Sequence, residues 1–120
     1  MNAYVAAISH AQRRLWFLDR LEPGNPVYTM PVAVRLRGPL DRAALEAALQ
    51  SILDRHEALR TTFAVENGEP VQVVRDHLEL SVPLERIAPE ALSARLTEEA
   101  RQPFDLAQGP LVRARLLTTG

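Results

Sequence analysis

The sequence predicts an α/β fold in which helices pack on one face of a mixed β-sheet. Three observations lead there. Apolar residues recur at helical spacing in three separate stretches: Ala11, Leu15 and Leu18, then Leu45, Leu49, Ile52 and Leu53, then Leu92, Leu96 and Ala100. Between them, residues alternate with the period of a strand, as in Val32, Val34 and Leu36. Breaker clusters rich in glycine, proline and asparagine separate the stretches, so the expected order is α-β-α-β-β-(β)-α-β.

Each element has its own local reason. Ser9 and Gln12 have capping-box spacing, which starts a helix from about Ser9 to Leu21, and Glu22-Pro23-Gly24-Asn25-Pro26 ends it. Tyr28 to Arg37 follows as a strand closed by Gly38-Pro39. Asp41 caps a second helix that carries the Leu45–Leu53 stripe. Thr61–Glu66 and Glu69–Arg75 form a hairpin around Asn67-Gly68, the pair suited to a type I′ turn because both central residues need positive φ. In that register Pro70 stands opposite Val65 at a non-hydrogen-bonded site, and its missing N–H places it at a sheet edge. Leu78 to Leu84 is a further strand candidate interrupted by Pro83. Pro89 opens a third helix with an Arg95/Glu99 pair, and Gly109-Pro110 introduces a strand from Leu111 to Leu117.

Composition bounds the function. The 120 residues, 47% hydrophobic, suffice for one core, so residues 1–120 are one domain or part of one. Net charge is −1 with both signs interspersed, which disfavours nucleic acid and anionic membrane as partners. All basic residues are arginine, so Schiff-base chemistry is excluded, and the absence of cysteine excludes disulfides and thiolate chemistry. The start, MNAYVAAISHAQ, resembles neither a signal peptide nor a membrane anchor, and a soluble cytoplasmic protein is the expectation. No G-x-S-x-G, P-loop, G-x-G-x-x-G or H-E-x-x-H motif occurs, and no metal site follows from His10, His56 and His77.

The segment RHEALRTTF, residues 55–63, concentrates polar candidates at a helix-to-strand junction. His56 lies eleven residues after Leu45, about three turns, and therefore on the apolar stripe; it is either a general base or a packed ring near the negative end of its helix. Glu57 can pair with Arg60 or Arg55 in a structural salt bridge, or act as an acid-base group. Arg60, at the start of a strand on the face opposite Leu59, Thr61 and Phe63, is either exposed or forks onto a carboxylate from a distant segment. Trp16 is core packing or a ligand platform.

Two motifs carry a family resemblance. SHAQRRLWFL supplies Ser9, Ala11, Gln12, Arg14, Leu15, Trp16 and Leu18 to the pattern S-x-A-Q-x-R-L/M-W/Y-x-L. RHEALRTTF supplies Arg55, His56, Glu57, Leu59, Arg60, Thr61 and Phe63 to R-H-E-x-L-R-T-x-F. In this order they resemble the first two core motifs of condensation domains of nonribosomal peptide synthetases, and LEPGNPVYTMP and FDLAQGPLVRARLL extend the resemblance over essentially the whole chain.

The resemblance implies the N-terminal part of a chloramphenicol acetyltransferase-like lobe. It implies amide-bond formation between aminoacyl or peptidyl thioesters on the phosphopantetheine arms of carrier domains, with no cofactor bound directly. The family's catalytic motif, H-H-x-x-x-D-G, does not occur in this chain, which has no His-His pair. The resemblance therefore implies no catalytic residue here and no activity for the chain alone. It gives both motifs structural roles, the second bracing an active site, and makes carrier domains and the remainder of the condensation domain the partners. An alternative is a non-catalytic module of the same lobe that docks a carrier protein. Apolar surface left open at the sheet edges implies weak stability as a monomer.

Overall fold

A computed structural model describes residues 3–120. The chain begins with a strand that periodicity did not reveal, β1 (Ala3–Ala7), followed by helix α1 (His10–Leu21). The capping box forms as the spacing requires: Ser9 Oγ accepts the Gln12 N–H and Gln12 Oε1 accepts the Ser9 N–H. A 3₁₀ turn at Pro26–Tyr28, capped by Asn25, ends the breaker cluster.

Residues 29–37, most of the expected Tyr28–Arg37 strand, join no strand ladder among the described residues. Met30, Val32, Val34 and Leu36 stand 90, 85, 72 and 56% exposed. Alternation alone does not make a strand, because a ladder needs a second strand, and none pairs with this segment among the described residues.

Helix α2 (Arg42–Arg55) starts at Asp41, whose carboxylate accepts the Ala44 N–H at 3.0 Å. Its stripe is only partly inward: Leu53 is 2% exposed, whereas Ile52 faces solvent. A 3₁₀ turn (Glu57–Arg60) then leads into β2 (Thr61–Glu66) and β3 (Glu69–Arg75). The hairpin forms in the expected register, Val65 opposite Pro70 and Glu66 opposite Glu69, with Asn67 and Gly68 at φ 54° and 78°.

Pro70 does not lie on an edge strand, because β3 is the centre of an antiparallel sheet ordered β1-β3-β2. Its missing N–H is tolerated for another reason: β1 pairs only as far as Ala7 opposite Val71, one residue short of it.

Beyond the sheet, the anticipated Leu78–Leu84 strand does not form as such: residues 78–83 join no ladder among the described residues, and only Leu84 enters a strand. Gln50 of α2 holds them instead, its Nε2 donating to the Leu78 carbonyl and its Oε1 accepting the Leu80 N–H, both at 2.8 Å. Arg42 donates to the Val82 carbonyl at 3.0 Å. A short β4 (Leu84–Arg86) pairs in parallel with β5 (Leu116–Thr118), which is all that pairs of the expected 111–117 strand. Between them lies α3 (Leu92–Arg101), entered through a 3₁₀ turn at Pro89–Ala91.

Helices pack on strands in an α/β arrangement, with antiparallel and parallel pairing divided between two sheets. Among the described residues the buried apolar side chains are Leu53, Val74 and Val82, with Pro70. The radius of gyration, 16.4 Å, exceeds the roughly 14 Å of a close-packed domain of this length. No described helix is long and apolar enough to cross a membrane.

Candidate functional site

Polar groups converge where α2 gives way to β2. The α2 axis ends at His56, whose backbone turns to φ −116° and ψ 107°, leaving the last helical carbonyls without intrahelical donors. Arg60 supplies those donors. Its Nε donates to the Leu53 carbonyl at 2.9 Å and Nη2 to the Asp54 carbonyl at 3.4 Å, while Nη1 reaches the Arg75 and Asp76 carbonyls at the end of β3.

Arg60 is 9% exposed, so the residue is buried as one alternative required, but its acceptors are backbone carbonyls and not the expected carboxylate. The physical reason is the helix end: four converging carbonyl oxygens, two of them at the negative pole of α2, stabilise a cation without an anion. One planar, always-charged fork thus ties the helix terminus to the central strand.

Glu57 also has a partner other than those expected. The Tyr4 hydroxyl of β1 donates to Glu57 Oε2, joining the first strand to the same junction. This hydrogen bond, with desolvation and the carboxylate's charge, raises the Tyr4 phenol above its ordinary value; Arg60 opposes the shift. Thr61 Oγ1 donates to the Glu57 carbonyl at 2.8 Å, closing the turn, and Thr61 and Thr62 are both buried.

His56 is exposed, contrary to its expected place on the core stripe. The extrapolation from Leu45 assumed helical dihedrals through residue 56, whereas the chain leaves the helix at that residue. Arg55 is exposed in the last turn of α2, Leu59 is half-buried, and Phe63 is half-buried on β2.

The first motif reaches this junction through β3. Gln12, already engaged in the capping box, donates from Nε2 to Gln72 Oε1 at 3.3 Å; Gln72 donates to the Ala7 carbonyl at 2.8 Å and stands opposite Phe63 in the hairpin. Arg13 pairs with Glu69 at 2.6 Å.

The apolar side of α1 is not the core that was expected. None of its residues is buried; Ala11, Arg14 and Leu15 are exposed, Leu18 is half-buried, and Trp16 is half-buried with the Arg20 guanidinium 4.8 Å from its ring centroid. The helix meets β3 through polar side chains, and its apolar stripe is only half covered by the described residues.

A second polar group lies on the β4–α3–β5 side. Arg95 bridges Glu85 at 2.9 Å and Glu99 at 3.1 Å, as its i,i+4 spacing to Glu99 implied, and Arg115 approaches Glu99 at 3.3 Å. The Glu85 hydrogen bond leads the effects that raise Arg95 above its ordinary value; burial works against it. Arg113 repeats at α3 what Arg60 does at α2, donating to the Gln102 and Pro103 carbonyls at 2.7 and 2.9 Å while lying over the Phe104 ring.

Among the described residues these arrangements set no histidine against a second acid-base group in a buried setting. His10 and His56 are exposed on separate elements, and His77 lies 3.5 Å from Asp54 at the surface. Among the described residues no three metal-ligating side chains come together. The groups sequence reasoning missed, namely Tyr4, Gln50, Gln72 and Arg113, all act on backbone or across long sequence separations. Only the proline after Gly109, at φ 64°, hinted locally at a special turn there.

Comparison with known proteins places this architecture. The family model described as the condensation domain matches residues 2–120. One component of the linear gramicidin synthase of Brevibacillus parabrevis is 49% identical over 93% of this chain, which spans 2% of that protein. Phosphinothricin tripeptide synthetase PhsC of Streptomyces viridochromogenes is 44% identical over 92% of the chain, which spans 11% of it. Among solved structures, the holo four-domain nonribosomal peptide synthetase AB3403 superposes with a TM-score of 0.84 at 25% identity over 100% of this chain and 10% of its own. The starter condensation domain of rhizomide synthetase RzmA gives 0.79 at 26% identity over 98% of this chain and 31% of its own. By the match of its whole described length and by these relatives, the chain belongs to the condensation-domain family of nonribosomal peptide synthetases.

Proposed function

We propose that residues 1–120 form the opening part of a condensation domain that, when complete, joins two carrier-bound thioesters through an amide bond. In that reaction the lone pair of the acceptor amine adds to the donor thioester carbonyl. The C–N bond forms, the C–S bond breaks, and the thiol departs as the amine loses its proton. The match over residues 2–120 carries this reading. Two features support it: relatives 40–51% identical are peptide synthetases, and RzmA has been solved with C8-CoA and Leu-SNAC bound.

In this reading the chain is bracing and not chemistry. RHEALRTTF welds α2 to the sheet, and the first motif leans on β3 beside it. The His-His-x-x-x-Asp-Gly motif lies outside these 120 residues, as do the surfaces that would receive the donor and acceptor carriers and their phosphopantetheine arms. The phosphopantetheine belongs to the substrates and is not a resident cofactor.

The test is a condensation assay with both carriers loaded, run on the complete domain and on residues 1–120 alone. Product from the complete domain, none from the short chain, and none when the second motif histidine is replaced are the expected results. Dipeptide formation by residues 1–120, or undiminished turnover without that histidine, would overturn the reading. Carrier binding by the inactive short chain would favour the docking module instead.

A further inference from the structure

The outer edge of β2 carries the second core motif and would be open but for a loop from far along the chain. Residues 105–110 fold over it. The Phe63 N–H donates to the Leu106 carbonyl at 2.8 Å, in place of a neighbouring strand. The loop is internally tied: Asp105 Oδ1 accepts the Ala107 and Gln108 N–H groups at 2.9 and 3.1 Å, and Gly109 N–H donates to the Asp105 carbonyl at 2.8 Å. Gly109 adopts φ 64°, and a Cβ built on it would stand 2.6 Å from Thr62 Cγ2, inside any tolerated carbon contact. Thr62 is only 5% exposed. The contact is therefore with a side chain that has little room to give way.

Just past this contact the chain runs towards β5. Between Gly109 and Leu116, residues 111–115 form no strand, and the Arg113 side chain ties them to the C-terminal end of α3 through the Gln102 and Pro103 carbonyls. The approach to β5 is thus held by the Gly109–Thr62 contact and the Arg113 clamp, and β5 itself by its ladder to β4 and the Leu116 N–H donated to the Pro83 carbonyl at 2.9 Å.

We infer that Thr62 and Gly109 form a size-limited latch that seats the 105–118 segment on the second core motif, making both of them positioning residues for the reaction of the complete domain. The catalytic part of this inference rests on the condensation reading above; the latch itself does not. A methyl group at residue 109 competes for the space held by Thr62 Cγ2, so the loop lifts from β2 and the approach to β5 loses its hold on the second core motif. Thr62→Ser removes that methyl group and keeps the hydroxyl.

The experiment uses the complete domain containing this chain as wild type, Gly109→Ala, Thr62→Ser, and the double variant. Hydrogen exchange at the Phe63 amide reads the latch, and carrier-loaded turnover reads its effect. Gly109→Ala is expected to speed Phe63 exchange about tenfold or more and to lower kcat by about tenfold with KM for the loaded carriers unchanged. In the double variant both effects shrink at least by half on a logarithmic scale, the left-handed φ of the alanine accounting for the remainder. Unchanged Phe63 exchange in Gly109→Ala, or a double variant no better than the single one, overturns the latch. A wild-type domain that makes no amide defeats the condensation reading instead, and the exchange measurement still decides the latch. If the exchange pattern holds but turnover does not follow it, the positioning role is refuted and the latch is structural only.

Discussion

Arg60 Nε donates to the carbonyl oxygen of Leu53 at 2.9 Å, seven residues back along the chain, so the side chain that follows helix α2 also caps it. The same guanidinium reaches Arg75 and Asp76 at the end of β3. Helix end and central strand are held by one buried group. Replacing Arg60 by methionine keeps most of the volume and strands four carbonyls, which should cost about 3 kcal/mol. Arg60→Lys, with a single ammonium in place of a fork, should recover only part of that. Equilibrium urea unfolding of the complete domain checks both; a loss under ~0.5 kcal/mol for methionine would remove Arg60 from the joint.

Gln50 stands in for a strand. Its amide offers the 78–80 backbone the same donor and acceptor that a neighbouring peptide would, and so replaces the ladder that residues 78–83 lack among the described residues. Gln50→Leu should cost about 1–2 kcal/mol and speed hydrogen exchange at the Leu80 amide by about tenfold, with little change in the hairpin. Equal protection of Leu80 in both proteins would show that the segment is held by packing alone.

Tyr4 makes the junction sensitive to alkali. Its hydrogen bond to Glu57 raises the phenol above the ordinary value of 10.0 in the folded chain. The contact's stabilisation is therefore complete below about pH 10 and is lost as pH rises through the higher folded value. In a Tyr28→Phe background, tyrosinate absorbance should report a Tyr4 midpoint above 10, moving down when Glu57 is replaced by Gln. A midpoint at or below 10 would mean that the bond does not persist in solution.

The local elements were legible because their causes are local. The Ser9/Gln12 box, the Asp41 cap, the Asn67-Gly68 turn and the Arg95/Glu99 pair each lie within four residues, and each formed as its spacing dictates. What failed depends on distant partners. β1 was missed because five residues become a strand only against Val71–Arg75, far along the chain. Residues 29–37 carry strand alternation and have no strand to meet. Arg60 was given a carboxylate because charges are visible in a sequence, whereas the backbone carbonyls it uses are present at every residue. His56 was placed inward by a helical period that ended one residue before it.

The exposed 29–37 segment has a consequence for the short chain. Met30, Val32, Val34 and Leu36 are exposed on a segment that joins no ladder among the described residues, and exposed apolar residues of this kind favour association. Residues 1–120 alone should associate at micromolar concentration and above, and Val32→Lys with Val34→Lys should suppress it. Sedimentation velocity over a tenfold dilution series reads this directly. A monomer at every concentration would show that the segment is covered or inert.

The central claim is that RHEALRTTF is a joint and that its histidine does no chemistry. The most direct measurement is single-turnover condensation by the complete domain carrying His56→Ala, with folding checked by thermal unfolding. His56 is exposed at the end of α2, so the rate should stay within about twofold of wild type, far from the ~100-fold or greater loss that removing a general base produces. A His56→Ala domain that melts like wild type yet loses ~100-fold in rate would contradict the account and restore the segment as a catalytic site.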